Sequence, residues 1–165
     1  MRASNSSPSE AGADDAAALR ERAIGLLARR EHSRRELLDK LARRGCDVAL
    51  AEVVVEQLAS DNLQSDARFA ELYVQQRVAR GHGELRIRSE LVQRGIAAEL
   101  SDAALAAAEI DWFAAAERAL EKKWRAGAPE NDPLGRGMRF LCGRGFSHEQ
   151  AREAVAALLA AQADE

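Results

Sequence analysis

A chain of 165 residues is long enough for one domain or a short repeat array, and its 47% hydrophobic content supplies a core although aromatic residues make up only 4%. A mix rich in Ala, Leu, Arg and Glu favours helices over strands, and the net charge of −3 argues neither for nor against a polyanionic partner. No segment approaches the roughly 20 apolar residues of a membrane span, and the two cysteines are 96 positions apart, which excludes metal-site spacing and a secreted disulfide framework.

Residues 1–15 are polar, with Ser, Pro, Gly and Asp, and lack the apolar core of a secretion signal. They cannot bury enough surface to offset their ordering entropy, so they read as a disordered leader, and the chain reads as cytoplasmic. Beyond them one phrase returns every fifty residues: "LARRG" at 41–45, "LVQRG" at 91–95 and "LCGRG" at 141–145. Leu41, Leu91 and Leu141 align, as do Arg44, Arg94 and Arg144, and Gly45, Gly95 and Gly145. An apolar residue follows each time: Cys46, Ile96, Phe146. A glycine just past a helix, with a leucine four positions before it and an apolar residue after it, is the pattern of a Schellman stop. Each arginine suits the negative end of the helix dipole.

The repeat predicts an all-α protein: an elongated, curved array of three tandem three-helix repeats with a period of about 50 residues. Repeat 1 spans 16–62, with helices over 15–30, 33–44 and 49–59. Ser33 and Glu36 have capping-box spacing at the second of these. Repeat 2 spans 63–109, with helices over 66–80, 83–94 and 98–108. Repeat 3 spans 110–165, with helices over 111–125, 133–143 and 147–161. Asp132 before Pro133 suits a helix start, Ser147 with Gln150 repeats the capping-box spacing, and the glycines at 135, 137 and 143 weaken the middle helix. Phe113, Ala116, Leu120 and Trp124 form an apolar stripe at helical spacing.

Charge is divided with the same period. Residues 20–50 hold 9 basic and 5 acidic side chains, 76–96 hold 5 and 2, and 122–144 hold 6 and 2, while the intervening blocks are acidic. The middle helix of each repeat is therefore basic and the third acidic. Solvated helix faces with local ion pairs would explain part of this. A basic stripe that follows a polyanion or an acidic protein groove would explain it as well.

His32 and His82 share a position at the start of a middle helix and read as structural rather than as metal ligands. Cys46 and Cys142 read as small packing residues, and Trp124 in "KKWR" reads as core rather than a base-stacking platform. No motif of a metalloprotease, a phosphate-binding loop or a nucleophile elbow occurs. No catalytic residue, metal site or cofactor is expected, so the chain does not read as an enzyme.

The stretches 66–96, 32–46 and 138–155, taken in order, resemble the three repeats of the RecX regulatory proteins. The resemblance runs from about Leu19 to Leu159. It implies a non-enzymatic regulator that binds the RecA recombinase filament on DNA and lowers its ATP hydrolysis, strand exchange and coprotease function in recombination, repair and the SOS response. DNA is a further partner in some members. A monomer is expected here. The side chains suited to contact are Arg34, Arg35 and Arg43 in repeat 1 and Arg77, Arg80, Arg86, Arg88 and Arg94 in repeat 2. Repeat 3 adds Lys122, Lys123, Arg125, Arg136 and Arg139. The alternatives are a direct nucleic-acid-binding module with no protein partner, and a plain helical scaffold.

Overall fold

The repeated phrase ends three helices as its spacing predicts. In the computed structural model, which describes residues 8–163, Gly45, Gly95 and Gly145 have φ of 77°, 77° and 90°. Only glycine adopts this left-handed region without steric cost. The second and third copies make both Schellman bonds. Gly95 N–H donates to Val92 (2.9 Å) and Ile96 N–H to Leu91 (3.1 Å); Gly145 donates to Cys142 (3.0 Å) and Phe146 to Leu141 (3.1 Å). Leu41, Leu91 and Leu141 are fully buried, and Ile96 and Phe146 nearly so. The first copy makes the Gly45 to Ala42 bond (2.9 Å), and Cys46 is only half-buried.

All regular elements among the described residues are helices. They are α1 (Pro8–Leu27), α2 (Arg34–Ala42), α3 (Val48–Ser60), α4 (Asp66–Ala79), α5 (Glu84–Gln93), α6 (Ala98–Ala107), α7 (Trp112–Lys123), α8 (Pro133–Gly143) and α9 (His148–Ala163). Several of their starts follow side-chain caps, whereas α5 and α6 start at Gly83 and Ala97 without one. Asp47, Asp111 and Asp132 each accept a backbone N–H three residues on. Ser147 and Gln150 form a reciprocal capping box at 3.1 and 2.8 Å, and Ser33 Oγ accepts the Glu36 N–H at 3.1 Å. Each cap satisfies an otherwise orphaned donor.

Two expectations need correction. Helix α1 begins at Pro8, not Asp15, so within the expected leader residues 8–15 are helical and 1–7 lie outside the described residues. A proline at the first helical position costs no hydrogen bond, and acidic residues early in a helix suit its dipole. Phe113 is 38% exposed and leaves the apolar stripe; half-buried Trp112 packs on the core with buried Ala116, Leu120 and Trp124. Helix α8 forms over the expected residues 133–143, glycines included. Asp132 caps the Gly135 N–H. Gly137 is buried where a Cβ would meet Val155 Cγ2 at 2.5 Å, so a larger residue would force α8 off α9.

The chain forms two compact units, one ending at Phe69 and the other beginning at Ala70. In the first, Leu19 and Ala23 of α1 pack with Leu37 and Leu41 of α2 and with Val54, Val55 and Leu58 of α3. Half-buried Cys46 lies against this core. In the second, α7, α8 and α9 enclose Ala116, Leu120, Trp124, Leu141, Phe146, Ala154 and Val155, with Cys142 packed alongside. Trp124, at 8% exposure, is thus a core residue. Val74, Ile87, Leu91, Ile96, Ala104 and Leu105 supply the buried apolar side chains of α4–α6 in that unit.

Helices α2 and α5 occupy the same repeat position but begin differently. At α2, the Arg34 N–H donates to Asp66 Oδ1 (2.7 Å), and Gln64 Nε2 donates to the His32 carbonyl (3.2 Å) and to Asp66 Oδ1 (2.9 Å). At α5, glycine replaces the capping serine, and the partners are backbone. Gly83 N–H donates to the Arg144 carbonyl (2.9 Å) and Leu85 N–H to the Gly145 carbonyl (3.1 Å). A Cβ on Gly83 would sit 2.4 Å from the Gly145 carbonyl, and one on Gly145 would sit 2.3 Å from Arg86 Cβ. The third copy of the phrase therefore ends α8 and also caps the start of α5.

Candidate functional site

The basic side chains singled out above fall into two groups. The first group is held by partners inside the protein. Arg34 of α2 pairs with Glu56 of α3, and Arg88 of α5 pairs with Asp102 of α6 and with Glu84 at 2.8 Å. Part of the alternation between basic and acidic helices is thus pairing between neighbouring helices of one repeat.

Glu90 of α5 is the centre of a larger network. Its Oε2 accepts from Tyr73 Oη and pairs with Arg77 Nε, both at 2.7 Å, and its Oε1 pairs with Arg86 Nε at 2.9 Å. Arg77 also donates to Tyr73 Oη (2.8 Å). Arg94 caps the end of α5 through the Glu90 carbonyl (2.9 Å) and lies 4.5 Å from the centroid of the Tyr73 ring. Burial works to raise the Glu90 pKa, but the hydrogen bonds from Tyr73 and Arg86 and the charge of Arg77 outweigh it and hold the carboxyl below its usual value. Burial and the bond to Glu90 push the Tyr73 phenol up. Arg77, Arg86 and Arg94 are therefore committed to joining α4 and α5. Arg139 pairs at the surface with Asp132 (3.0 Å), an exposed contact of little energetic weight.

The second group is exposed and outside these pairs. It comprises Arg35 and Arg43 in the first unit, and Arg80, Lys122, Lys123, Arg125 and Arg136 in the second. Three of these, Arg80, Lys122 and Lys123, are brought together. They line a cleft of about 520 Å³ formed by the end of α4, one face of α7, Phe140 of α8 and Arg144 just past the end of α8. Arg118 also lines it. Sequence reasoning missed Arg118 because it lies in an acidic block; its spacing of four from Lys122 on one helix was the available signal.

The two buried histidines behave as structural residues. His32 Nδ1 lies 3.0 Å from the Arg30 carbonyl. His82 is 9% exposed, and its Nδ1 has no hydrogen-bond partner. Burial lowers both pKa values, and for His82 the charges of Arg86 and Arg77 add to the effect. Among the described residues, no group of His, Cys, Asp and Glu is placed to hold a metal ion, and no helix is long and apolar enough to cross a membrane.

Among the described residues the chain is all-helical, built of tandem three-helix units that carry exposed basic side chains. Family comparison makes this specific. Residues 20–58 match the model of the first three-helix domain of RecX, and residues 65–105 match that of the second. The chain is 48% identical over 150 residues to the regulatory protein RecX of Halorhodospira halophila, covering 90% of this chain and 92% of that protein. It is 45% identical to the RecX of Chromohalobacter salexigens, covering 83% and 90% of the two chains. The crystal structure of RecX from Lactobacillus salivarius superimposes with a TM-score of 0.73 at 21% identity, covering 88% of this chain and 97% of that one. A second crystal structure of a regulatory protein RecX gives 0.75 at 22% identity, covering 91% and 79%. The chain belongs to the RecX family of regulatory proteins.

Proposed function

We propose that this protein binds the RecA filament assembled on DNA and restrains its ATP hydrolysis, strand exchange and coprotease function, with no reaction of its own to catalyse. The observation that carries this reading is family membership over most of the chain, joined to exposed cations that internal pairing leaves available. Arg35, Arg43, Arg125 and Arg136 are the contacts assigned to the filament. Arg34, Arg77, Arg86, Arg88 and Arg94 are assigned to shaping the repeats. The filament's own acidic side chains and bound phosphates are the complementary chemistry, and arginine binds either through paired hydrogen bonds.

Titration of the protein into RecA preassembled on single-stranded DNA tests the reading, with ATP hydrolysis followed at fixed salt. Inhibition well below one protein per RecA subunit is the expected result. Reversing charge at Arg35, Arg125 and Arg136 together should raise the concentration needed by about tenfold while leaving helicity intact, which corresponds to about 1.4 kcal/mol. Full hydrolysis at saturating wild-type protein would sink the reading.

A further inference from the structure

Two histidines fifty positions apart are both buried, but only one is paired. His32 Nδ1, before α2, lies 3.0 Å from the carbonyl two residues back, that of Arg30. His82 Nδ1, before α5, has no partner. The matching carbonyl for His82 is that of Arg80, and another donor holds it: Arg144 Nη1, just past the end of α8, at 2.8 Å. An unpaired buried polar atom forfeits the hydrogen bond that water gives it in the unfolded chain. Closure of α8 onto the turn before α5 therefore leaves His82 unpaired.

Both competing donors have an alternative, and the chain displays each one at an equivalent position. His32 shows the bond open to His82. Arg94, which stands to α5 as Arg144 stands to α8, donates to the carbonyl four residues back in its own helix, that of Glu90, at 2.9 Å. The equivalent acceptor for Arg144 is the Phe140 carbonyl, and its guanidinium already lies 5.1 Å from the Phe140 ring centroid. The turn can rearrange as well. Gly81 has φ of 75°, whereas Glu31 at the matching place has no positive φ. Glycine passes between these regions without steric cost, so residues 80–82 can adopt the form of residues 30–32. The charged groups facing the His82 ring are Arg77 of α4, Arg86 and Glu90 of α5, and Arg144. Burial and the three arginines outweigh Glu90 and favour the neutral imidazole, which can carry its proton on Nδ1 and donate it to a carbonyl.

We propose that the Arg80 carbonyl is a two-position latch between the end of α8 and the turn before α5. Arg144 holds it when the two are closed, and His82 takes it when Arg144 turns back onto α8. Two backbone bonds open with the latch: Gly83 N–H to the Arg144 carbonyl (2.9 Å) and Leu85 N–H to the Gly145 carbonyl (3.1 Å). Their donors lie at the start of a helix, where water readily replaces a lost acceptor. The core of α7–α9 draws on no side chain of α5, so it survives opening. The last three helices can thus part from α5 in a two-state step that pairs His82 as it releases Arg144. Neither state involves a partner, so the latch stands or falls separately from the function proposed above.

The test uses the 15N-labelled full chain at pH 7.5. Long-range 1H–15N correlation reads the histidine ring nitrogens, and backbone amide exchange is followed in the same samples. In wild type, His32 should show a protonated, hydrogen-bonded Nδ1 and His82 should not. In Arg144→Met, His82 should acquire the His32 signature, and exchange at Gly83 and Leu85 should speed up about tenfold, the effect of one lost hydrogen bond. His82→Leu removes the competing group and the unpaired atom together, so exchange at the same two amides should slow by about fivefold. If Arg144→Met loses helicity by circular dichroism, the wild-type spectrum and His82→Leu decide the matter. A His82 ring that stays unchanged in folded Arg144→Met would overturn the proposal. So would a wild-type His82 already protonated and bonded at Nδ1, or exchange at Gly83 and Leu85 that His82→Leu leaves unchanged or speeds up.

Discussion

Single residues show that one motif does different work at different places. Gly45 and Gly145 share a φ that favours glycine, but a Cβ at Gly45 meets nothing within 4 Å, whereas at Gly145 it collides with Arg86. Gly45→Ala should therefore cost only the conformational term, about 1 kcal/mol. Gly145→Ala, and Gly83→Ala facing it, should each cost about 2 kcal/mol or more, because backbone must move. Urea denaturation of the three variants checks this, and equal losses would mean that the close approach of Gly83 and Gly145 is not maintained in solution. His82 sets a pH dependence. Its folded pKa lies below the ordinary value of about 6.5. The ring is neutral in both states above that pH; as pH falls through it, the unfolded chain binds the proton first and stability declines. His32 acts in the same direction. Thermal melts at pH 7.5 and 5.5 should show a drop that is smaller in His82→Leu, and an undiminished drop would assign the effect elsewhere.

At the scale of elements, helix ends were legible and helix partners were not. Serine, aspartate and glycine act on donors and acceptors within a few residues, so Ser147, Asp111 and Gly95 declare their roles in one line of sequence. The fate of Gly137 depends on Val155 and Trp124, which reach it only after α9 and α7 have packed. No local pattern encodes that. The candidate site shows the same limit. Charge blocks marked the basic helices, but whether an arginine is committed or available depends on a carboxylate from another turn or helix, as Glu90 and Asp102 demonstrate. Glu90 joins α4 to α5, so Glu90→Gln should cost about 2 kcal/mol by weakening hydrogen bonds to charged partners. The loss should appear in chemical denaturation, and a neutral result would show that Arg77 and Arg86 find other acceptors.

At the scale of the molecule, the fifty-residue period is visible in sequence because each repeat must stop its middle helix in the same way. The departures from the period are where the repeats acquire separate roles. Asp66 and Gln64 serve the start of α2, while the backbone of Arg144 and Gly145 serves the start of α5. That last difference has a bearing on how the protein is made. A chain leaving the ribosome is released from its N-terminal side, and domains tend to fold as units in that order. Residues 32–69 bring the donors and acceptors for the start of α2 out together. The start of α5 must wait, its amide groups hydrated, until residues 144 and 145 have emerged. Closure of the second repeat is thus timed by synthesis of the third.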